Sequence, residues 1–393
     1  MTDPQEILSI KNVYKVFGPQ TDIAMQMLEQ GANKDEVFEK TGHTVGVFDA
    51  SFSVNRGEIF VIMGLSGSGK STMVRLLNRL IEPTAGTITL NNRDITRLND
   101  KELLDVRRRE MSMVFQSFAL MPHMSVLENT AFGLEISGVP EQERKARAQE
   151  ALEQVGLGEH GASYPNQLSG GMQQRVGLAR ALTNDPTILL MDEAFSALDP
   201  LIRYEMQGEL IRLQREQQRT IIFISHDLDE AIRIGDRIAI MEGGRIVQVG
   251  TPQEILRNPA DDYVKTFFRG VDVTKILKAG DIAERNPSHL IKLNGSVKLV
   301  DPSADVEFRY VVDEGNSLRG IVSDKALAGT LPDPSTLQSL CIDQPVSVRS
   351  STPVCDLLES VADNRYPIPV IDDDGSFKGT ISQQSLLQTL SRR

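Results

Sequence analysis

The sequence predicts an α/β protein, with a large domain built on a mainly parallel sheet and a smaller α+β region after it. Three observations predict this. Apolar runs such as Thr187–Met191, Thr220–Ile224 and Arg237–Met241 alternate with helix-like stretches up to about residue 245, the pattern of strands buried on both faces and joined by helical crossovers. One such run, Glu58–Met63, enters a glycine-rich turn, Gly64–Ser71, and leaves it in the helix-like Thr72–Leu77. Near the C-terminus, a strand, an acidic-glycine turn, a second strand and then an apolar-periodic helix occur twice, starting from Tyr310–Ser323 and from Pro369–Ser382.

Taken in chain order, residues 7–18 and 45–63 read as strands with turns. The polar insert 19–44 lies between them. Within it Asn33 reads as a helix N-cap, with Glu36 three residues on and Gly42 as the stop. Residues 125–183 read as mostly helical, with a loop near Ser163–Asn166, and so form a subdomain set into the sheet domain. The large domain is expected to span 1–270. Residues 271–296 read as a connector, and 297–393 as a tandem pair of small modules. The two hairpins in that pair rest on turn chemistry.

The totals narrow the class. The chain has 393 residues, 40% of them apolar, enough for two or three domains with sizeable cores. A net charge of −12 argues against nucleic acid as the main partner, because phosphate backbones are bound by basic surfaces. The two cysteines, Cys341 and Cys355, form no C-x-x-C pair, which points away from zinc and toward a reducing compartment. No apolar run approaches the length that spans a bilayer, about 20 residues. The N-terminus also lacks the basic and apolar regions of a signal peptide. The expectation is a cytosolic chain unless another subunit holds it at a membrane.

Gly64-Leu65-Ser66-Gly67-Ser68-Gly69-Lys70-Ser71, with Thr72 beginning the helix, fits the phosphate-binding spacing G-x-x-x-x-G-K-[ST]. A strand feeding such a turn and a helix N-terminus aims backbone N–H groups and the helix dipole at one point, where a phosphate binds. Lys70 is then placed to reach the β- and γ-phosphates, and the Ser71 hydroxyl to hold Mg²⁺. A second apolar strand, Ile188–Met191, ends in Asp192 and Glu193. Asp192 can reach the Mg²⁺ and Glu193 can polarise an attacking water. Leu168-Ser169-Gly170-Gly171-Met172-Gln173-Gln174 opens another helix with small residues, whose hydroxyl and amides could present donors to a γ-phosphate.

Leu-Ser-Gly-Gly-x-Gln-Gln-Arg beside the phosphate loop resembles the hallmark of the ATP-binding cassette (ABC) proteins, and the resemblance covers roughly residues 7–255. It implies the P-loop NTPase fold of that family, with an antiparallel β subdomain and a helical subdomain beside the parallel core. By this resemblance Gln116, in Val114-Phe115-Gln116, joins the Mg²⁺ shell and senses a membrane partner. Ser196-Ala197-Leu198-Asp199 is similar to the D-loop. His226, in Ser225-His226-Asp227, is similar to the switch that contacts the γ-phosphate. Phe17 is placed to stack on adenine, with Phe48 as its competitor. Phosphate loop and signature never meet within one domain of this family. The resemblance therefore implies a dimer, a homodimer or one with a relative, in which each ATP lies between Lys70 of one copy and Ser169 of the other.

Ile62–Pro83, Met113–Gly133, Leu189–Arg203 and Thr220–Met241 resemble one branch, the ATPase subunits of quaternary-amine (glycine betaine/L-proline) uptake systems. That implies ATP and Mg²⁺ as cofactors, a transmembrane permease as partner, a substrate-binding protein as indirect partner, and a peripheral position on the cytoplasmic face of the cell (inner) membrane. The same machine serving another solute is the near alternative, and a soluble, non-transport ABC ATPase the distant one. The C-terminal region resembles a pair of cystathionine-β-synthase-type (CBS) modules. Modules of that type that bind adenosine ligands carry an aspartate three residues after the strand-ending Ser or Thr. Here Ala326 follows Ser323 and Ser385 follows Ser382. Dimer-stabilising and regulatory roles both stay open, with nucleotide binding ranked below either. Met121 and its neighbours in 117–124 read either as part of a groove for a cytoplasmic helix of the permease or as core packing of the helical subdomain.

Overall fold

Five consecutive buried residues, Ile59–Met63, form the central strand of a six-stranded sheet. Such a run has no solvent face, so it must lie inside a sheet covered on both sides. In spatial order the strands are Arg245–Gly250, Arg237–Glu242, Ile59–Met63, Thr220–Ser225, Ile188–Asp192 and Met111–Val114. All neighbours are parallel except the edge strand Arg245–Gly250, which returns antiparallel from Arg237–Glu242 through Gly243 and Gly244. The parallel register brings the C-terminal ends of Ile59–Met63, Thr220–Ser225 and Ile188–Asp192 to one edge of the sheet. That edge carries the phosphate loop, His226 and Glu193.

This computed structural model describes residues 5–269, 271–294, 296–301, 305–327, 332–343 and 345–391. The chain falls into two units, Met1–Phe268 and Arg269–Arg393. In the first, a four-stranded antiparallel sheet pairs Thr44–Asn55, Glu6–Phe17, Ala85–Leu90 and Arg93–Asp94 in that order. The stretch read as 45–63 is therefore two strands, broken at Arg56 and Gly57, where Gly57 has φ +73°. Helices Val126–Ile136, Glu141–Gln154 and Gly170–Leu182 form the helical subdomain, and the loop near Ser163 carries the short turn Pro165–Gln167. In the insert, Asn33 caps Lys34–Thr41 in a reciprocal box with Glu36, and Gly42 ends the helix at φ +72°, as its sequence predicts. The insert holds a second helix, Asp22–Glu29, with Ala24 and Leu28 buried on one face. These pack with Val37, Val16, Val45 and Phe48, so the insert adds a small core of its own to the antiparallel sheet.

The second unit corrects two readings. Residues 271–296 are not a connector. They contribute helices Val273–Ile276 and Ala279–Ile282 and the strand Leu290–Leu293. Ala279 is fully buried in the core formed by Val354, Ile368 and Ile381, because residues 277–283 complete an otherwise thin module. The duplication is real in topology. Leu290–Leu293 lies parallel to Phe308–Asp313, which forms a hairpin with Leu318–Ser323. Val348–Arg349 lies parallel to Ile368–Ile371, which forms a hairpin with Phe377–Ile381. Only the second copy is followed at once by a full helix, Gln383–Ser391. The first is followed by a single turn, Asp324–Leu327, and its next helix, Pro334–Leu340, starts with Pro334 behind the Asp333 cap.

Candidate functional site

The phosphate loop is shaped by contacts that exclude side chains. Gly64 has φ +154°, and a Cβ there would sit 2.1 Å from the Met241 carbonyl oxygen; Gly69 has φ +101°, and a Cβ there would sit 2.3 Å from the Gly46 carbonyl oxygen. Only glycine is compatible with both the dihedral and the approach. The Gly243–Gly244 turn closes the loop from the side, as Gly244 N–H donates to the Ser68 carbonyl at 3.0 Å. The Lys70–Leu77 helix starts directly from this loop, so its first amides face the turn.

Lys70 is 5% exposed, and its ammonium donates to the carbonyls of Gly64 at 2.8 Å and Leu65 at 3.0 Å. Burial pushes its pKa down, opposed by the carboxylates of Glu193 and Asp192. The Ser71 hydroxyl donates to Asp192 Oδ1 at 3.0 Å. Asp192 is itself buried, and that burial raises its pKa against the pull of Ser71 and of Arg75, 4.0 Å away. A hydroxyl and a carboxylate in contact at the mouth of a phosphate loop are hard oxygen donors. That donor set fits Mg²⁺.

Glu193 leaves the strand at φ +47°, a left-handed conformation that costs a non-glycine residue roughly 1–2 kcal/mol. Its amide donates to the Ile224 carbonyl at 3.2 Å, which holds the turn. The turn brings Glu193 Oε2 within 3.4 Å of His226 Nδ1. The His226 side chain is 57% exposed. Phe17, Gly46, Gly67, Lys70, Glu193 and His226 are among the residues lining one cleft of about 560 Å³. Phe48 does not compete with Phe17, because it is buried against Tyr14 and under the Arg245 guanidinium.

Other predicted residues lie apart from the cleft. Gln116 is not among its lining residues; its amide donates to Ser196 Oγ at 3.1 Å, and Ser196 Oγ donates to the Glu193 carbonyl at 2.9 Å. Asp199 caps the Pro200–Gln217 helix, accepting from Leu201 and Ile202. Ser169 and Gly170 are exposed at the start of Gly170–Leu182, where the Ser169 hydroxyl accepts from Met172 N–H at 3.3 Å. Gln173 donates back to the Leu168 carbonyl, and Gly171 lies so near Ile202 that a Cβ would approach to 2.6 Å. None of these signature residues lines the Lys70 cleft.

Two features escaped the sequence. The left-handed turn at Glu193 has no residue-type signal, since glutamate rarely adopts it. Met241, Gly243 and Gly244 support the phosphate loop from a distant hairpin, and only the Gly-Gly pair marks a turn there. As for residues 117–124, none is fully buried, which speaks against core packing. Phe115, Ala119, Met121, Phe132 and Arg180 help line a second groove of about 410 Å³.

The chain matches the family model described as ABC transporter over residues 47–196 and the CBS domain model over residues 337–392. It is 56% identical over 391 residues, 98% of either chain, to the glycine betaine/proline betaine transport system ATP-binding protein ProV of Escherichia coli (strain K12). It is 50% identical over 385 residues to the glycine betaine transport ATP-binding protein OpuAA of Bacillus subtilis (strain 168), covering 98% of this chain and 92% of that one. Among solved structures, the dimeric post-hydrolysis state of the ATP-binding cassette MJ0796 bound to ADP and Pi is similar, with a TM-score of 0.53 and 32% identity over 62% of this chain and 98% of that one.

Proposed function

The chain belongs to the ATP-binding subunits of ABC transporters, and from that premise we propose that it hydrolyses ATP in a head-to-tail homodimer to power uptake of glycine betaine- and proline betaine-type solutes. The observation that carries the mechanism is the meeting of Lys70, Ser71, Asp192, Glu193 and His226 at one sheet edge, with Ser71 on Asp192 and Glu193 beside His226. The solute reading rests on similarity along the full chain, C-terminal unit included, to relatives named for these solutes.

In this reading Phe17 stacks on adenine, and the amides from Ser66 to Thr72 receive the phosphates. Lys70 turns its ammonium from two carbonyls onto the β- and γ-phosphates, and its burial strengthens that attraction. Ser71 and Asp192 are the residues that would hold Mg²⁺, which when bound would supply positive charge against the negative charge developing on the transferred phosphoryl group, with Gln116 joining its shell. Glu193 holds the attacking water and draws on its proton, while His226 orients the γ-phosphate. Ser169, Gly170 and Gly171 of a second copy complete the γ-phosphate shell, which explains why Ser169 and Gly170 stand exposed and all three lie apart from the cleft of their own chain. The groove at Phe115 and Met121 receives a cytoplasmic helix of the permease, so that the chain works on the cytoplasmic face of the membrane without crossing it; no described helix is long and apolar enough to span.

The C-terminal unit is read as a dimer-stabilising or regulatory module that does not take up adenosine ligands. Ser385 is buried, and it exchanges N–H···Oγ bonds with Ser382 at 3.0 Å each way, so its hydroxyl is spent on the cap of the last helix. Glu193→Gln tests the catalytic reading. It should bind ATP as well as the parent chain and hydrolyse it about 10²- to 10⁴-fold more slowly, the range for losing a general base. A parental rate removes Glu193 from its role. Uptake of labelled glycine betaine by cells with and without this chain tests the solute; equal uptake rejects it.

A further inference from the structure

Arg203 lies one turn into the Pro200–Gln217 helix, outside every sequence motif the mechanism uses. Its guanidinium joins two of those motifs. One Nη donates to the carbonyls of Ser196 at 3.3 Å and Leu198 at 3.2 Å, and the other lies 3.4 Å from Asp227 Oδ2. Ser196 and Leu198 belong to the loop after Glu193, and Asp227 follows His226. The side chain is 27% exposed and that of Asp227 37%, so the pair is partly shielded from solvent.

The contacts close into a ring. Ser196 N–H and Oγ both bond the Glu193 carbonyl, at 3.1 and 2.9 Å. Arg203 ties Ser196 to Asp227. Asp227 N–H donates to Ser225 Oγ at 2.9 Å on the other side of His226. His226 Nδ1 then returns to Glu193 Oε2 at 3.4 Å. Asp227 divides its carboxylate: Oδ1 caps the next helix through Glu230 N–H, leaving Oδ2 for Arg203. Behind the strand, Ser225 Oγ donates to the buried carboxylate of Glu230, which also accepts from Gln207. The far side of the switch is therefore fixed, and Arg203 supplies the link on the near side. Its bonds exceed the usual N–H···O length of about 2.9–3.0 Å, and its Nε is buried without a partner, so the link has donor capacity left with which to follow small movements of either loop.

We infer that Arg203 is a positioning residue for ATP hydrolysis, clamping the loop after Glu193 to the switch segment so that Glu193 and His226 face the γ-phosphate together. Arg203 is not among the residues that line the Lys70 cleft; it acts through the two loops. The inference rests on the roles given above to Glu193 and His226. A lysine in its place can reach Asp227 or the carbonyls but lacks the fork that holds both.

The test uses the purified full-length chain with Arg203→Met, Arg203→Lys, Asp227→Asn and the double variant Arg203→Met/Asp227→Asn. Hydrolysis is measured alongside binding of a fluorescent ATP analogue. Arg203→Met should lower kcat roughly 10- to 100-fold, the scale of a slight misplacement of reacting groups, with analogue affinity within about twofold of the parent. Arg203→Lys should recover part of the loss. The double variant should be no slower than the slower single variant, because residues in one network do not add. A parental kcat in Arg203→Met overturns the inference, and so does an additive double variant or a loss of affinity that matches the loss of kcat. Glu193→Gln is run beside them. If it is inactive while Arg203→Met is normal, the clamp alone fails; if it is itself normal, the catalytic assignment fails and the clamp with it.

Discussion

The Lys70 cleft and the Ser169 helix start are two parts of one proposed nucleotide site, and they differ in how far a single chain finishes them. In the cleft, Lys70 and Asp192 are buried and already held by Gly64, Leu65 and Ser71. At the helix start, Ser169 and Gly170 are exposed, and the serine hydroxyl is occupied with its own helix. The difference follows from desolvation. A buried charge without partners is expensive, so its surroundings must be assembled as the chain folds. Amides and a hydroxyl at an exposed helix start lose little by facing water, so they can wait for a second molecule.

Substitutions at the two places should therefore fail differently. Lys70→Ala removes the ammonium from the phosphates and should abolish both tight ATP binding and hydrolysis. Ser169→Arg should leave ATP binding by the single chain within a few-fold of the parent, yet cut hydrolysis by about 10²- to 10³-fold, as loss of one preorganised donor does. A matched loss of binding in Ser169→Arg, measured by titration with ATP, would break the comparison.

Smaller effects sharpen it from the cleft side. Phe17→Ala should weaken ATP binding by about 1–3 kcal/mol, the worth of one base stacked on an aromatic ring, with kcat nearly unchanged. Phe48→Ala should instead destabilise the fold by about 3–5 kcal/mol through a core cavity. Denaturant unfolding beside binding separates the two. Asp192→Asn should abolish hydrolysis while raising the melting temperature, read by thermal unfolding beside the parent. The sign comes from burial. A carboxyl whose pKa is raised in the fold is more protonated folded than unfolded, so stability is lost as pH rises from the ordinary value through the raised one. The gap between variant and parent should accordingly widen from pH 4 to pH 7; a gap that narrows contradicts the burial argument. Asn33→Ala, at a residue that is not among those lining the cleft, should cost about 1 kcal/mol of stability through the lost cap and leave hydrolysis within a few-fold of the parent.

Much of this was legible in the residues because the cassette's chemistry sits where strands end. Apolar runs locate the strands, and the polar residue that ends each run, Gly64, Asp192 or His226, lands on one sheet edge by parallel register. Capping was equally readable, since Asn33 and Glu36 signal it within four positions. What escaped depends on distant backbone. The carbonyls that leave no room for a side chain at Gly64 and Gly69 belong to Met241 and Gly46 on other strands, and the left-handed turn at Glu193 is held by the Ile224 carbonyl on the neighbouring strand. The C-terminal unit was harder to read for a related reason. Its strands are short, so no segment carries a full periodic signal, and residues 277–283 join a core whose other members begin at Val354.

The central claim is that a working site needs Lys70 from one copy and Ser169 from another. Mixing equal amounts of full-length Lys70→Ala and Ser169→Arg chains, each inactive alone, tests it most directly. Half the pairs that form are mixed, and each of those rebuilds one intact site of two, so hydrolysis should return to about a quarter of the parental rate by the arithmetic of a two-fold dimer. A mixture as inactive as its components would contradict the account.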